Sequence, residues 1–145
     1  ARAETMDGTR LNLEGKGEQV KHAAIGRIIG DSLILCTFPG PMYTRQIQVE
    51  ALSSMFAEPW SVAELDEAGE RVMCQERLFN VREGLSRKDD VLPYRLLKEP
   101  KPDGPTKGVV VPLEQLKDSF YKAMGYDPAT GNPTEAVLKR LGVEK

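Results

Sequence analysis

The chain has 145 residues, 40% of them apolar and 29% charged, enough to bury a hydrophobic core without metal or disulfide staples but too few for two large domains. Twenty lysines and arginines against twenty-two aspartates and glutamates leave a formal charge of -2, so no basic excess is present to bind a phosphate backbone, and nucleic acid is set aside as a partner. The most apolar run, Ser32 to Phe38, is about a third of the roughly 20 residues that span a bilayer, which sets aside a membrane protein as well.

The first residues, Ala1-Arg2-Ala3-Glu4-Thr5, have neither an initiator Met nor the apolar stretch of a signal peptide. The expectation is a start inside a longer gene product or a chain shortened by cleavage, with irregular structure over 1–17. From Glu18 onward Val20, Ala23, Ala24, Ile25, Ile28 and Ile29 recur at helical spacing, and the pattern breaks at Gly30 before Leu33-Ile34-Leu35. A helix ended near Gly30 follows. Pro39, Gly40 and Pro41 come within five residues of Cys36 and cannot continue a helix, which puts the cysteine beside an exposed turn. Ile47, Ala51, Leu52 and Met55 predict a second helix over Gln46 to Ala57, stopped by Pro59.

Ser61 with Glu64 three residues later is a capping box, and Leu65, Val72 and Phe79 then recur every seven residues with Ala68 on the same stripe. Asp66, Glu67, Glu70, Arg71 and Arg77 fall on the opposite face, and Gly84 ends a helix of about six turns. Leu85 to Arg95 reads as a charged connection, and 98–108, with three prolines and two glycines, as an exposed loop. Val109-Val110-Val111 is too short to build a sheet. Leu113, Leu116, Phe120, Tyr121 and Met124 then predict a helix that Gly125 closes. A last short helix is expected with Asn132 as its cap, Pro133 at its first position and Gly142 beyond its end. The sum is a single all-α domain over 1–145, irregular and with long loops.

The inventory limits the chemistry. One histidine, His22, and two cysteines, 38 residues apart in no CxxC spacing, supply neither a zinc site nor a four-cysteine cluster from within the chain. So few cysteines fit a reducing, cytoplasmic setting. No dinucleotide, P-loop or nucleophile-elbow string occurs. On the residues alone Cys36 is either a small core residue or a thiolate ligand, stabilised by the N–H groups of a turn from Thr37 to Gly40. Asp31 is a carboxylate suited to take parallel hydrogen bonds from a planar partner. Cys74, in mid-helix, reads as structural. His22 faces a cofactor or merely solvent, and Asp89 and Asp90 suit ion pairing or turn capping with Arg87, Lys88 and Arg95 better than acid–base work.

The string Asp31-Ser32-Leu33-Ile34-Leu35-Cys36-Thr37-Phe38 resembles the D-x-x-x-x-C element of the tungsten-containing aldehyde ferredoxin oxidoreductases. Glu76-Arg77-Leu78-Phe79-Asn80-Val81-Arg82-Glu83-Gly84, with Arg87, Asp89-Asp90, Leu92-Pro93 and Arg95, is similar to the segment that follows in that family. Tyr121, Gly125-Tyr126-Asp127, Gly131, Pro133-Thr134, Leu138 and Leu141-Gly142 resemble its C-terminal signature, and the order holds over nearly all of 18–143. A glycine usually stands in the family where this chain has Ile34, and Arg-Gly-Trp where it has Met124-Gly125-Tyr126.

The resemblance implies the C-terminal helical portion of a larger subunit that oxidises an aldehyde and water to a carboxylic acid and passes electrons to ferredoxin. Its centre would be tungsten, or molybdenum, held by two pterins beside a [4Fe-4S] cluster. Three cluster cysteines would come from an upstream C-x-x-C-x-x-x-C region and the fourth from Cys36, with Asp31 and Leu35 contacting a pterin. The partners implied are the absent N-terminal and middle domains, ferredoxin and the aldehyde. Taken alone the fragment would lack the groups for catalysis. A different class of function is a cofactor-free helical module that kept this fold and now binds another protein.

Overall fold

The computed structural model describes residues 11–36, 38–39 and 42–144. Six α-helices occur among them: α1 (Lys16–Ser32), α2 (Arg45–Phe56), α3 (Val62–Arg82), α4 (Tyr94–Lys98), α5 (Leu113–Met124) and α6 (Glu135–Leu141). A 3₁₀ turn spans Arg87–Asp89, and an isolated bridge pairs Tyr126 with Pro133. The all-α expectation holds. Val109 to Val111 forms no strand, and Val111 is tied to α4 by the bond from its N–H to the Leu96 carbonyl at 2.9 Å.

The long helix α3 is the spine, with α1, α2 and α6 packed on it and α5 packed on α1. Its start is fixed as the sequence predicts: Ser61 Oγ accepts from Glu64 N–H at 3.2 Å while the Glu64 carboxylate accepts from Ser61 N–H at 2.7 Å. Two apolar clusters form along it. Ile25, Ile29, Val49, Leu52 and Leu65 join α1, α2 and the first half of α3. Cys74, Tyr121, Met124, Tyr126, Val137, Leu138 and Leu141 join its second half to α5 and α6. Because different helices cover the two halves, the buried side of α3 runs through Leu65, Gly69, Glu70 and Cys74 and departs from the predicted seven-residue stripe. Phe79 is left 55% exposed, and Glu70, expected on the solvent face, is buried.

Three boundaries also differ from the sequence reading. Irregular structure was expected through residue 17, but α1 begins at Lys16. A close approach explains this: a Cβ on Gly17 would lie 2.1 Å from the Ser119 carbonyl oxygen, so only glycine lets α1 seat on α5 there, with Gly17 N–H donating to Ser119 Oγ at 3.0 Å. Gly30 does not end α1, since a single glycine costs a helix only about 1 kcal/mol and burial of Ile25 and Ile29 outweighs that. The cap of α6 is Thr134 rather than Asn132, and its hydroxyl accepts from Val137 N–H at 3.4 Å. Pro133 is held outside the helix by its bridge to Tyr126. The loop over 98–108 is exposed almost throughout.

Candidate functional site

The segment singled out in the sequence sits at the C-terminal end of α1. The helix closes in a Schellman arrangement: Leu35 N–H donates to the Gly30 carbonyl at 2.8 Å and Ile34 N–H to the Asp31 carbonyl at 3.0 Å. Such a cap needs one left-handed residue, and it is Ile34, at φ 56°. A β-branched residue is strained there by roughly 1–2 kcal/mol. Its side chain is 92% exposed, so no packing among the described residues offsets the strain. A glycine, which the resemblance implies at this position, would adopt that conformation without strain.

The capping bonds fix the chain direction as far as Leu35, which is half-buried, and Cys36 follows as an exposed free thiol. Asp31, whose carbonyl takes part in that cap, is exposed too, with Arg27 Nε donating to its Oδ2 at 3.0 Å. The three residues therefore share one capped helix end, open to the outside. Thr37, Gly40 and Pro41, which the predicted thiolate-stabilising turn needs, lie outside the described residues. Met42 N–H donates to the Pro39 carbonyl at 2.7 Å, and Thr44 Oγ1 then accepts from Ile47 N–H at 3.3 Å to start α2.

The remaining candidates are held elsewhere. Cys74 is fully buried, and desolvation pushes its thiol up from the ordinary value, which disfavours a thiolate. His22 is exposed. Asp89 accepts from Ser86 N–H at 2.8 Å and so caps its own turn. Asp90 pairs across the fold instead of locally: Arg77 grips both its oxygens at 2.9 and 2.8 Å, and Tyr121 donates its hydroxyl to it. Burial first, and that donated bond second, push the Tyr121 hydroxyl up to about 12. This network walls a cavity of about 400 Å³ whose apolar side is Val20, Met73, Leu116 and Phe120. Its Arg77, Asp90 and Tyr121 are all engaged with one another, as structural ties are.

Sequence reasoning missed Glu70. Desolvation pushes its carboxyl up, but Arg140 and Lys21, at 2.5 and 3.3 Å, together outweigh that and hold it below the ordinary value. It bolts α1, α3 and α6 together. The signal was faint: an acid one residue after Gly69, whose missing side chain leaves room for Ile25 and Ile29. Among the described residues no group of three or more His, Cys, Asp or Glu side chains is placed to hold a metal ion, and no helix is long and apolar enough to cross a membrane.

A family model described as aldehyde ferredoxin oxidoreductase, domains 2 and 3, matches residues 2–143. A tungsten-containing aldehyde ferredoxin oxidoreductase of Pyrococcus abyssi is 40% identical over 97 residues, which is 66% of this chain and 16% of the relative. One of Pyrococcus horikoshii is 36% identical over 116 residues, 79% of this chain and 19% of the relative. The chain thus spans less than a fifth of the length of these curated relatives. Among solved structures, the active-site complex BamBC of benzoyl coenzyme A reductase with 1,5-dienoyl-CoA superposes with a TM-score of 0.76 at 23% identity, over 94% of this chain and 20% of that one, and shares the fold.

Proposed function

This chain belongs to the aldehyde ferredoxin oxidoreductase family, and from that membership we propose that it serves as the C-terminal helical part of a tungsten-pterin, iron–sulfur enzyme that oxidises aldehydes. In this reading Cys36 is the fourth thiolate of a [4Fe-4S] cluster, and Asp31 and Leu35 contact the adjoining pterin. The observation that carries it is the position of Cys36: an exposed thiol directly beyond a capped helix end, one turn from an exposed carboxylate.

The donor set fits a shared centre. A cluster of this type takes four thiolates, and this chain has one accessible cysteine, Cys74 being sealed in the core. The other three ligands would come from the rest of the subunit. When bound, the tungsten-pterin centre would supply the oxidation of the aldehyde, and the cluster a path for electrons toward ferredoxin. The chain's own part is to hold and orient. The Schellman cap fixes the backbone leading to Cys36, and the Asp31 carboxylate, with one oxygen on Arg27, keeps the other to accept ring N–H groups.

The test is co-expression of residues 1–145 with the upstream part of the subunit. Cys36→Ala is expected to lose the broad visible absorbance of the cluster while Cys74→Ala, at unchanged circular dichroism, keeps it. An unchanged spectrum in Cys36→Ala removes the ligand role and leaves a helical interaction module.

A further inference from the structure

The apolar side chains left uncovered near Cys36 follow one another along the chain. Ile34, Phe38 and Met42 are 92%, 96% and 70% exposed. The strip continues onto α2, where Ile47, Ala51 and Met55, each four residues apart and so on one face, all point away from the body. α2 is anchored through its other side: Val49 and Leu52 lie in the cluster with Ile25, Ile29 and Leu65, and Arg45 Nε donates to Asp66 Oδ1 at 2.7 Å. The outer face is therefore held in place while unpartnered. Aromatic and methionine side chains with few charges are the composition of an interface core. By contrast Phe79, also exposed, carries the Arg82 guanidinium 5.1 Å from its ring.

We propose that this strip, from Ile34 through Phe38 to the Ile47–Met55 face of α2, is the surface on which the remainder of the parent oxidoreductase subunit docks. The inference rests on the functional reading above. Two observations choose this occupant over others. More than four-fifths of the length of the curated relatives lies outside the matched region, and the family model assigns this chain to domains 2 and 3, so a further domain has to meet it. The strip also brackets Cys36, with Ile34 before it and Phe38 after it. Whatever surface brings the other cluster ligands to that sulfur has to cover both neighbours. Seating there would bury the side chain of Ile34, which is 92% exposed.

The experiment measures association of residues 1–145 with the co-expressed upstream part by size-exclusion chromatography and titration. Ile47→Asp and Met55→Asp are each expected to weaken association about tenfold or more, since a buried charge at an interface core is poorly tolerated, while leaving helical circular dichroism unchanged. Phe79→Asp, on α3 away from the strip, is expected to leave association as it was. Retained binding by the Ile47→Asp/Met55→Asp double variant overturns the proposal, and so does failure of the unaltered chain to associate. A dimer of residues 1–145 alone that the same variants dissolve overturns it too, by assigning the face to a second copy. Cys36→Ala separates the two readings: lost iron–sulfur absorbance with intact association supports both, whereas unchanged absorbance removes the ligand role and leaves the docking face to be decided by the association data.

Discussion

The two ends of α3 are closed in different ways. Around its second half Cys74, Met124 and Leu141 are 0–1% exposed, and the charged groups crossing the seam are paired, Arg77 with Asp90 and Glu70 with Arg140 and Lys21. Around its first half the cluster of Ile25, Ile29, Val49, Leu52 and Leu65 is covered on the inside, while Ile34, Phe38, Met42 and the outer face of α2 stay bare. The first region holds this polypeptide together. The second presents groups that the fold itself does not use, and the proposed cofactor ligands lie there.

Substitutions break or sharpen that contrast. The largest effect is expected in the closed region: Leu141→Ala leaves a cavity in a seam with no exposure and should cost about 3 kcal/mol, read as a lower urea midpoint at unchanged slope. Met55→Ala, 76% exposed, should stay within about 0.5 kcal/mol of the unaltered chain. Equal losses at the two sites would abolish the distinction.

Glu70→Gln comes next, at about 2 kcal/mol, less than for a fully buried pair because the Arg140 side chain is 47% exposed. Since Glu70 ionises in the folded chain at lower pH than its ordinary 4.5, the unfolded chain binds the proton first on acidification. Its stabilisation is therefore complete at neutral pH, declines below about pH 5 and is gone under its folded value, so Glu70→Gln should flatten the acid limb of a stability–pH curve.

A smaller effect than that of Glu70→Gln has the opposite sign. Ile34→Gly relieves a left-handed β-branched residue and should stabilise the isolated chain by about 0.5–1 kcal/mol, measured by thermal unfolding. A loss of stability there would mean that Ile34 already has a partner within the chain.

Much of this was legible in the residues. The capping box at Ser61, the stop at Pro59 and Gly125 at the end of α5 are local signals, and the elements they bound appeared where expected. The D-x-x-x-x-C string placed Asp31, Leu35 and Cys36 beside a helix end because caps and turns are written within a few residues. Glu70 was misread as a surface charge, and Asp90 as paired with its near neighbours, for the complementary reason: their partners Arg140 and Arg77 stand 70 and 13 residues away, and no periodicity reports which face a neighbour will cover.

By itself, then, the sequence determined five of the six helices among the described residues, the capping box of α3 and the family, because these rest on hydrogen bonds and spacings that close over one or two turns; the short α4 fell where a charged connection was expected. Only the tertiary structure decided which side of α3 is interior, which carboxylates are buried, that Ile34 is left-handed, and that Cys36 and the outer face of α2 look outward. Burial is a property of the neighbours a helix meets, and those are chosen by packing across the whole chain.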